Sequence, residues 1–403
     1  MEPNVKTKTE SLVRPPKREH CTTPLMAQPS KRPYLSTTSL NTHPMSYQGA
    51  FPFFRLPSEV GRFSLDSHRC YHGDSRKLRY YRPPSSVQKG ASPGWDLMDG
   101  YENRYVRRDE NEKEGLLHIL TWVKENKGLL GGSGSRKLDR DFVTWRGHLT
   151  KVLCTPYESQ EGWLLAVSLF KGTLYISERE TEVARKKREE RTTIQEKLMY
   201  SGYKFESHLC ADSPDGQPSP SAVVNTNEAF CSVLFARLST HSFLISGEVD
   251  CCDPLATNSN PPSCYVELKS SAQIRNPHQQ RSFNRYKLLK WWCQSFLLGI
   301  PLIVAGFRNP EGKVVSLQDY RTSDIPHLIR TDQHSWDPAV CMNFCDAFLS
   351  FVKNVVTRDD PGVVYLFSWE PGSDVTFSVH TDPTYHILPA WYVEAMSLGA
   401  AVD

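Results

Sequence analysis

At 403 residues the chain is long enough for one large α/β domain or two smaller ones, with ample material for a core. Its 48 Lys and Arg balance 45 Asp and Glu to a net charge of +3, which does not mark a nucleic-acid binder, so any such binding falls to a local basic cleft. Eleven Cys without a C-x-x-C pair, no hydrophobic leader, and a longest apolar run of twelve residues (Phe296 to Phe307, broken by Pro301) exclude a disulfide scaffold and a bilayer span, and predict a soluble intracellular protein with free, mostly buried thiols.

Residues 1–45 carry seven Pro, many Ser and Thr and few large apolar groups, so they read as a disordered basic tail that cannot bury enough surface to offset ordering entropy. Its pairs Lys17-Arg18 and Lys31-Arg32 fit a nuclear address and a solvated tail equally well. The globular domain spans 46–397, with a short tail at 398–403, and residues 70–95 stay loop-rich. A helix is predicted from Glu112 to Lys124, since Leu116, Leu117, Leu120 and Val123 recur at helical spacing. Gly128 and Gly131-Gly132-Ser133-Gly134 then form a flexible connection. Two strands follow, Gly162 to Ser168 and Gly172 to Ser177. The charge run Ala184 to Arg191 reads as a solvated helix face, with an RNA-backbone contact as the alternative, and a helical stretch, Ile194 to Tyr200, leads on to Glu206.

The next stretches carry the chemistry. Phe243 to Asp250 and Cys264 to Lys269 both read as strands that end in charged groups; period-two alternation puts Glu248 with Asp250 on one face, and Tyr265, Glu267 and Lys269 on another. Carboxylates this dense cannot all stay ionised without a compensating cation. A hard divalent metal, Mg²⁺ or Mn²⁺, resolves the conflict, and a Lys on the same face can orient a water or stabilise charge growing on phosphorus. The plain alternative is an ordinary exposed sheet face, because Glu-x-Lys triplets arise by chance, as in the polar helix end Glu125-Asn126-Lys127. Cys251-Cys252 is read as packing, since no His or Asp is placed to activate either thiol. Asn284 to Leu298 is predicted as a helix with Leu289, Trp292 and Phe296 on one face and Lys287, Lys290 and Gln294 away from it. Trp291-Trp292 is read as core packing, and Leu302 to Phe307 as a buried strand.

Helix with an acid, strand ending in Asp, strand with Glu-x-Lys, helix with a Gln, then strand: this order resembles the PD-(D/E)xK nuclease core. In that fold, mixed β-sheets flanked by helices gather acids at one end. The strings Thr144 to Lys151, Gly202-Tyr203-Lys204-Phe205-Glu206, Gly247-Glu248-Val249-Asp250, Tyr265 to Lys269 and Leu288 to Phe296 narrow the resemblance to the decapping and exoribonuclease (DXO) family, over about Phe51 to Met396.

That resemblance implies a single large α/β domain that hydrolyses the first phosphodiester of RNAs with incomplete, unmethylated or nicotinamide-dinucleotide caps, then degrades 5′-monophosphate RNA 5′ to 3′. It implies Glu206, Glu248, Asp250 and Glu267 as ligands of two metals, Mg²⁺ with Mn²⁺ able to substitute, and the carbonyl of Leu268 as a further ligand. Lys269 and Gln294 would stand by the nucleophilic water and scissile phosphate. Arg146, between Trp145 and Gly147, would grip a substrate phosphate. Arg69, Glu114 and Cys231 would line the substrate pocket; read from the residues alone, Glu114 also fits a solvent-facing helix position and Cys231 an ordinary buried thiol. RNA 5′ ends are the expected partner, with a 5′-3′ exoribonuclease as a candidate protein partner; the expected state is a monomer in the nucleus and also the cytoplasm, not at a membrane. The rival functions are an internal-cutting nuclease on the same core and a catalytically dead RNA-binding or exonuclease-stimulating partner.

Overall fold

Alternating apolar segments pair into two large mixed sheets in the computed structural model, which describes residues 38–83, 92–130, 138–256, 260–332 and 335–397. The larger sheet has ten strands, in the order Ser39–Leu40, Val375–His380, Val364–Trp369, Trp163–Phe170, Thr173–Arg179, Phe142–Trp145, His241–Glu248, Ala229–Leu238, Phe54–Leu65 and Tyr71–His72. Phe142–Trp145 runs parallel to both neighbours, and the other pairs are antiparallel. The second sheet has six strands, in the order Val314–Arg321, Leu302–Arg308, Tyr265–Ala272, Cys251–Cys252, Tyr80–Tyr81 and Cys210–Ala211.

Between the end of one strand at Glu248 and the start of the next at Cys251 the chain steps from the first sheet to the second. The predicted strand to Asp250 is therefore corrected: it runs His241–Glu248, and Asp250 occupies the step instead of sharing a strand face with Glu248. This step brings acids from two sheets to one place.

Two glycines set how closely the helices approach. A Cβ at Gly306 would lie 2.3 Å from the Phe205 ring, so the bare backbone lets the Thr193–Leu209 helix seat Phe205 on the second sheet. That helix starts at a Thr192/Gln195 capping box and continues unbroken to Leu209, which carries Glu206 inward. A Cβ at Gly247 would meet Leu298 at 2.7 Å and the Arg146 Cβ at 3.1 Å, so the strand end lies close against both.

Tyr265–Ala272 and Leu302–Arg308 are parallel neighbours and need a crossover. Pro277–Ser282, a π-helical turn at Phe283–Leu288 and the α-helix Leu289–Leu298 supply it, and Gly299 at φ 71° ends it. The predicted helix from Asn284 thus contains a π turn, and its apolar face is wider than expected: Leu289, Trp291, Trp292, Cys293, Leu297 and Leu298 are all buried while Phe296 is half-buried. Its Cys293 thiol lies 3.8 Å from that of Cys154 on the Arg146–Cys154 helix.

Two further expectations change, and the charge run keeps its reading as a solvated helix face. The helix predicted from Glu112 starts at Leu117, leaving Glu114 in the preceding turn. The charge run forms the exposed helix Glu182–Glu189, and its Arg185 and Arg188 are paired with Glu182, Glu189 and Glu180. Residues 38–45 are built into the fold: Ser39–Leu40 pairs with Val375 and Thr376, and Leu40 and Tyr47 are each 4 % exposed. The rest of the expected tail, the connection at 131–134 and residues 398–403 lie outside the described residues. Among the described residues no helix is long and apolar enough to cross a membrane.

Candidate active site

Glu267 is 1 % exposed at the centre of the second sheet, a position where an isolated carboxylate would be costly. Two cations hold it. The Lys269 ammonium lies 2.6 Å from its Oε1, on the shared strand face, and the Arg146 guanidinium lies 3.2 Å from its Oε2. Burial raises its proton affinity, but the charges of Lys269 and Arg146 outweigh that and hold the carboxyl below its ordinary range. Lys269 is in turn kept firmly protonated: burial opposes its charge, and Glu267 and Asp250 more than restore it.

Asp250, at the step between sheets, takes a 2.6 Å hydrogen bond from the Leu268 N–H. Burial, then the charges of Glu267 and Glu206, push its carboxyl well above the usual carboxylate range. Glu206 is also raised, by burial and by Glu248, although the paired guanidinium of Arg79 opposes this. Glu248, exposed at the end of its strand, completes the cluster.

The residues expected to line a substrate pocket stand beside this cluster. Cys231 sits directly opposite Glu248 in the antiparallel ladder, so the two side chains share a face. Burial, then the Glu248 charge, pushes its thiol up, which makes it a wall and not a nucleophile. Arg69 adopts φ 66°, in a turn where its N–H bonds to the Asp66 carbonyl at 2.9 Å, and its fork grips Glu114 at 2.9 and 3.1 Å. Arg108 and His118 also reach Glu114, at 2.9 and 3.3 Å. Burial would raise the Glu114 carboxyl, but His118 and Arg69 bring it down to about 2. Glu114 is thus a fixed, partly buried anion and not a solvent-facing helix residue. Trp145 bonds to the Gly115 carbonyl through its indole N–H at 2.8 Å, and Gly147 has open space around its Cα.

Gln294 is half-buried one turn before Leu298, on the helix face that approaches Gly247, and its side chain makes no hydrogen bond among the described residues. Cys251 and Cys252 remain packing thiols. Burial raises the first, and a hydrogen bond with Cys264 followed by burial raises the second. Arg79 escaped the sequence reading: it precedes a strand of two residues, too short to show a period. Arg108 and His118 likewise gave no signal, because only the fold brings them to Glu114.

The residues fit a hard divalent cation. Among the described residues no three His, Cys, Asp or Glu side chains stand in a finished metal cage; the carboxylates turn to Arg79, Arg146, Lys269 and the Leu268 N–H. Yet two of the four acids are driven towards protonation by their neighbours, the condition that a bound cation relieves. Since the N–H and C=O of one extended residue face the same strand edge, the Leu268 carbonyl also faces the side of Asp250.

A mixed sheet crossing over through a helix, with acids from a helix, a sheet-to-sheet step and a Glu-x-Lys strand, defines a PD-(D/E)xK nuclease. The family described as RAI1 like PD-(D/E)XK nuclease matches residues 55–393. The chain is 69% identical over 401 residues to the decapping and exoribonuclease protein of Xenopus laevis, covering 98% of this chain and 100% of that one. It is 56% identical over 372 residues to the Homo sapiens protein of the same name, covering 92% and 93%. The crystal structure of Scheffersomyces stipitis Rai1 in complex with (3'-NADP)+ and calcium ion matches with a TM-score of 0.72 at 26% identity, covering 86% of this chain and 92% of that one. The chain belongs to the decapping and exoribonuclease family and is a hydrolase with decapping and exoribonuclease activity.

Proposed function

We propose that the protein is a metal-dependent RNA 5′-end quality-control enzyme that cleaves the first phosphodiester of RNAs with incomplete, unmethylated or nicotinamide-dinucleotide caps and then digests the 5′-monophosphate product 5′ to 3′. The observation that carries this reading is the convergence of Glu206, Glu248, Asp250 and Glu267 around Lys269, with Cys231 and the paired Arg69 and Glu114 beside them. The (3'-NADP)+ and calcium ion named for the Scheffersomyces stipitis protein support a nucleotide-cap substrate and a divalent metal.

Glu206, Glu248, Asp250, Glu267 and the Leu268 carbonyl would hold Mg²⁺, two ions by family resemblance, with Mn²⁺ able to substitute. A metal held there would lower the pKa of a water and offset charge on the phosphoryl oxygens. Lys269, in line with Glu267, stabilises charge that grows on the phosphoryl group during attack. Arg146 supplies a planar fork for a substrate phosphate, and Gln294 helps to fix the water or phosphate. Water oxygen bonds to phosphorus as the bond to the preceding 3′ oxygen breaks, leaving a 5′-monophosphate on the downstream RNA. We extend the reading to a monomer that engages a 5′-3′ exoribonuclease, and, from Lys17-Arg18 and Lys31-Arg32, to a nuclear location shared with the cytoplasm. Light scattering, a pull-down with such an exoribonuclease, and imaging of a chain with those four residues changed to Ala test these extensions.

Body-labelled RNA with different 5′ ends, incubated with Mg²⁺, tests the main reading. A nicotinamide-dinucleotide cap is expected to leave as the intact dinucleotide, and Glu248→Ala or Asp250→Ala to abolish decapping and exonuclease activity together. Release of nicotinamide mononucleotide, or a variant that keeps one activity near wild type, would refute the shared phosphodiester site.

A further inference from the structure

Beside Glu206 and Glu248 lies a cavity of about 430 Å³, lined also by Arg79, Tyr203, Val223 and Asn225. None of Arg69, Glu114, Arg146 or Cys231 lines it, so it holds two of the acids without the residues that family resemblance assigns to the terminal group. Most of its polar groups are already engaged: Arg79 with Glu206, Lys77 with Glu228 at 2.7 Å, and the Asn225 Oδ1 with the Asn227 N–H at 3.0 Å. Two apolar surfaces are not. Tyr203 is 36 % exposed and Val223 57 %, whereas Lys204 and Phe205, the residues after Tyr203, are fully buried.

Tyr203 stands three residues before Glu206 and so shares its helix face. Burial, then the charges of Glu248 and Glu206, keeps its phenol protonated, so the ring brings no charge to repel a nucleic acid. An exposed ring and an aliphatic side chain lining one cavity of nucleotide size, beside carboxylates that act on a phosphodiester, suit a flat apolar group flanked by phosphates. Every nucleobase has such a face, whatever its identity.

We propose that Tyr203 is a base-stacking residue that receives the second nucleotide of the RNA in this cavity, across the scissile phosphate from the terminal pocket. The proposal rests on the phosphodiesterase reading above and extends it. Stacking on Tyr203 positions the strand without reading its sequence, and suits an enzyme that advances along any RNA.

The test uses 5′-monophosphate RNA with one abasic site, at the first or the second nucleotide, and Mg²⁺. In the wild type the second-position lesion is expected to lower kcat/KM by roughly 5- to 100-fold, the range that one base stacked on one ring supplies. Tyr203→Ala should suffer a similar loss on intact RNA, mostly in KM, with no further loss from that lesion. Tyr203→Phe should regain the lesion penalty, which separates the ring from a general effect on folding. Additive losses from Tyr203→Ala and the second-position lesion would overturn the proposal, and coupling at the first position instead would assign Tyr203 to the terminal nucleotide and overturn it too. A wild type without metal-dependent turnover on intact RNA is a different result and overturns the phosphodiesterase reading.

Discussion

Lys269 meets Glu267 at 2.6 Å, and removing its ammonium still leaves Arg146 to balance that buried carboxylate. Lys269→Ala is therefore expected to fold and to bind RNA but to lose turnover by roughly 10²-fold or more, as a group that acts on transition-state charge should. Lost binding with unchanged turnover, measured by filter binding beside single-turnover rates, would reassign Lys269 to substrate grip. His148 makes a stability prediction of the opposite kind. Its Nε2 accepts the Glu178 N–H at 3.2 Å while Nδ1 faces the Ile176 carbonyl at 3.2 Å, so a second ring proton would point at a donor. Burial takes its pKa down to about 4. Between roughly pH 6.5 and 4 the unfolded chain binds a proton there that the folded chain refuses, so stability falls with falling pH, by about 1.4 kcal/mol per unit from this group. His148→Gln should remove that slope from the difference between wild-type and variant denaturant curves, and an unchanged slope would show that His148 titrates normally. At this scale the gathering of Glu248, Asp250, Glu267 and Lys269 was legible because acid density is a property of short strings; alternation rightly paired Glu267 with Lys269 but wrongly put Asp250 on a strand face with Glu248. Arg79, Arg108 and His118 were not, because their partners lie far along the chain.

Among the elements, the helices and strands around the acids announced themselves by period, whereas the long Phe54–Leu65 strand and Pro338–Val355 helix were not read; Tyr80–Tyr81, Cys210–Ala211 and Cys251–Cys252 were invisible, since two residues hold no period. The same blindness explains the misjudged start of the fold. Ser39–Leu40 is too short and polar to read as a strand, yet it edges the larger sheet, and Tyr47 packs edge-on to Phe344 while Asn343 donates to the Tyr47 carbonyl at 3.0 Å. A chain begun at Thr38 is expected to keep its activity and melting temperature, because every site residue lies from Arg69 onward. A chain begun at Gln48 exposes what Leu40 and Tyr47 covered, and should melt roughly 5–10 °C lower, two buried side chains being worth about 1.5–3 kcal/mol each. Calorimetry on the two truncations decides it: equal melting points would mean that residues 38–47 contribute nothing to stability.

For the whole molecule, what matters is how two sheets and a helix enclose the acids. The step at Val249 and Asp250 joins the sheets, and the strand order that puts Glu248 beside Cys231 depends on pairings between distant segments, which local pattern does not encode. The enclosure has a direction: Arg69, Glu114 and Cys231 lie to one side of the acids, with Arg69 bound to the Asn227 carbonyl at 3.0 Å as well as to Glu114, so that side is walled by fixed groups. On the function proposed above, an RNA enters such a site end first. A circular RNA holds the same phosphodiesters but no terminus to insert, and should survive under conditions that degrade its linear counterpart with the same Mg²⁺ and enzyme. An open cleft would cut both, so efficient cleavage of the circle, followed on a denaturing gel, would favour the internal-cutting alternative. Nicking the circle to leave a 5′-monophosphate should then restore its decay, because the nick supplies the end that the pocket receives.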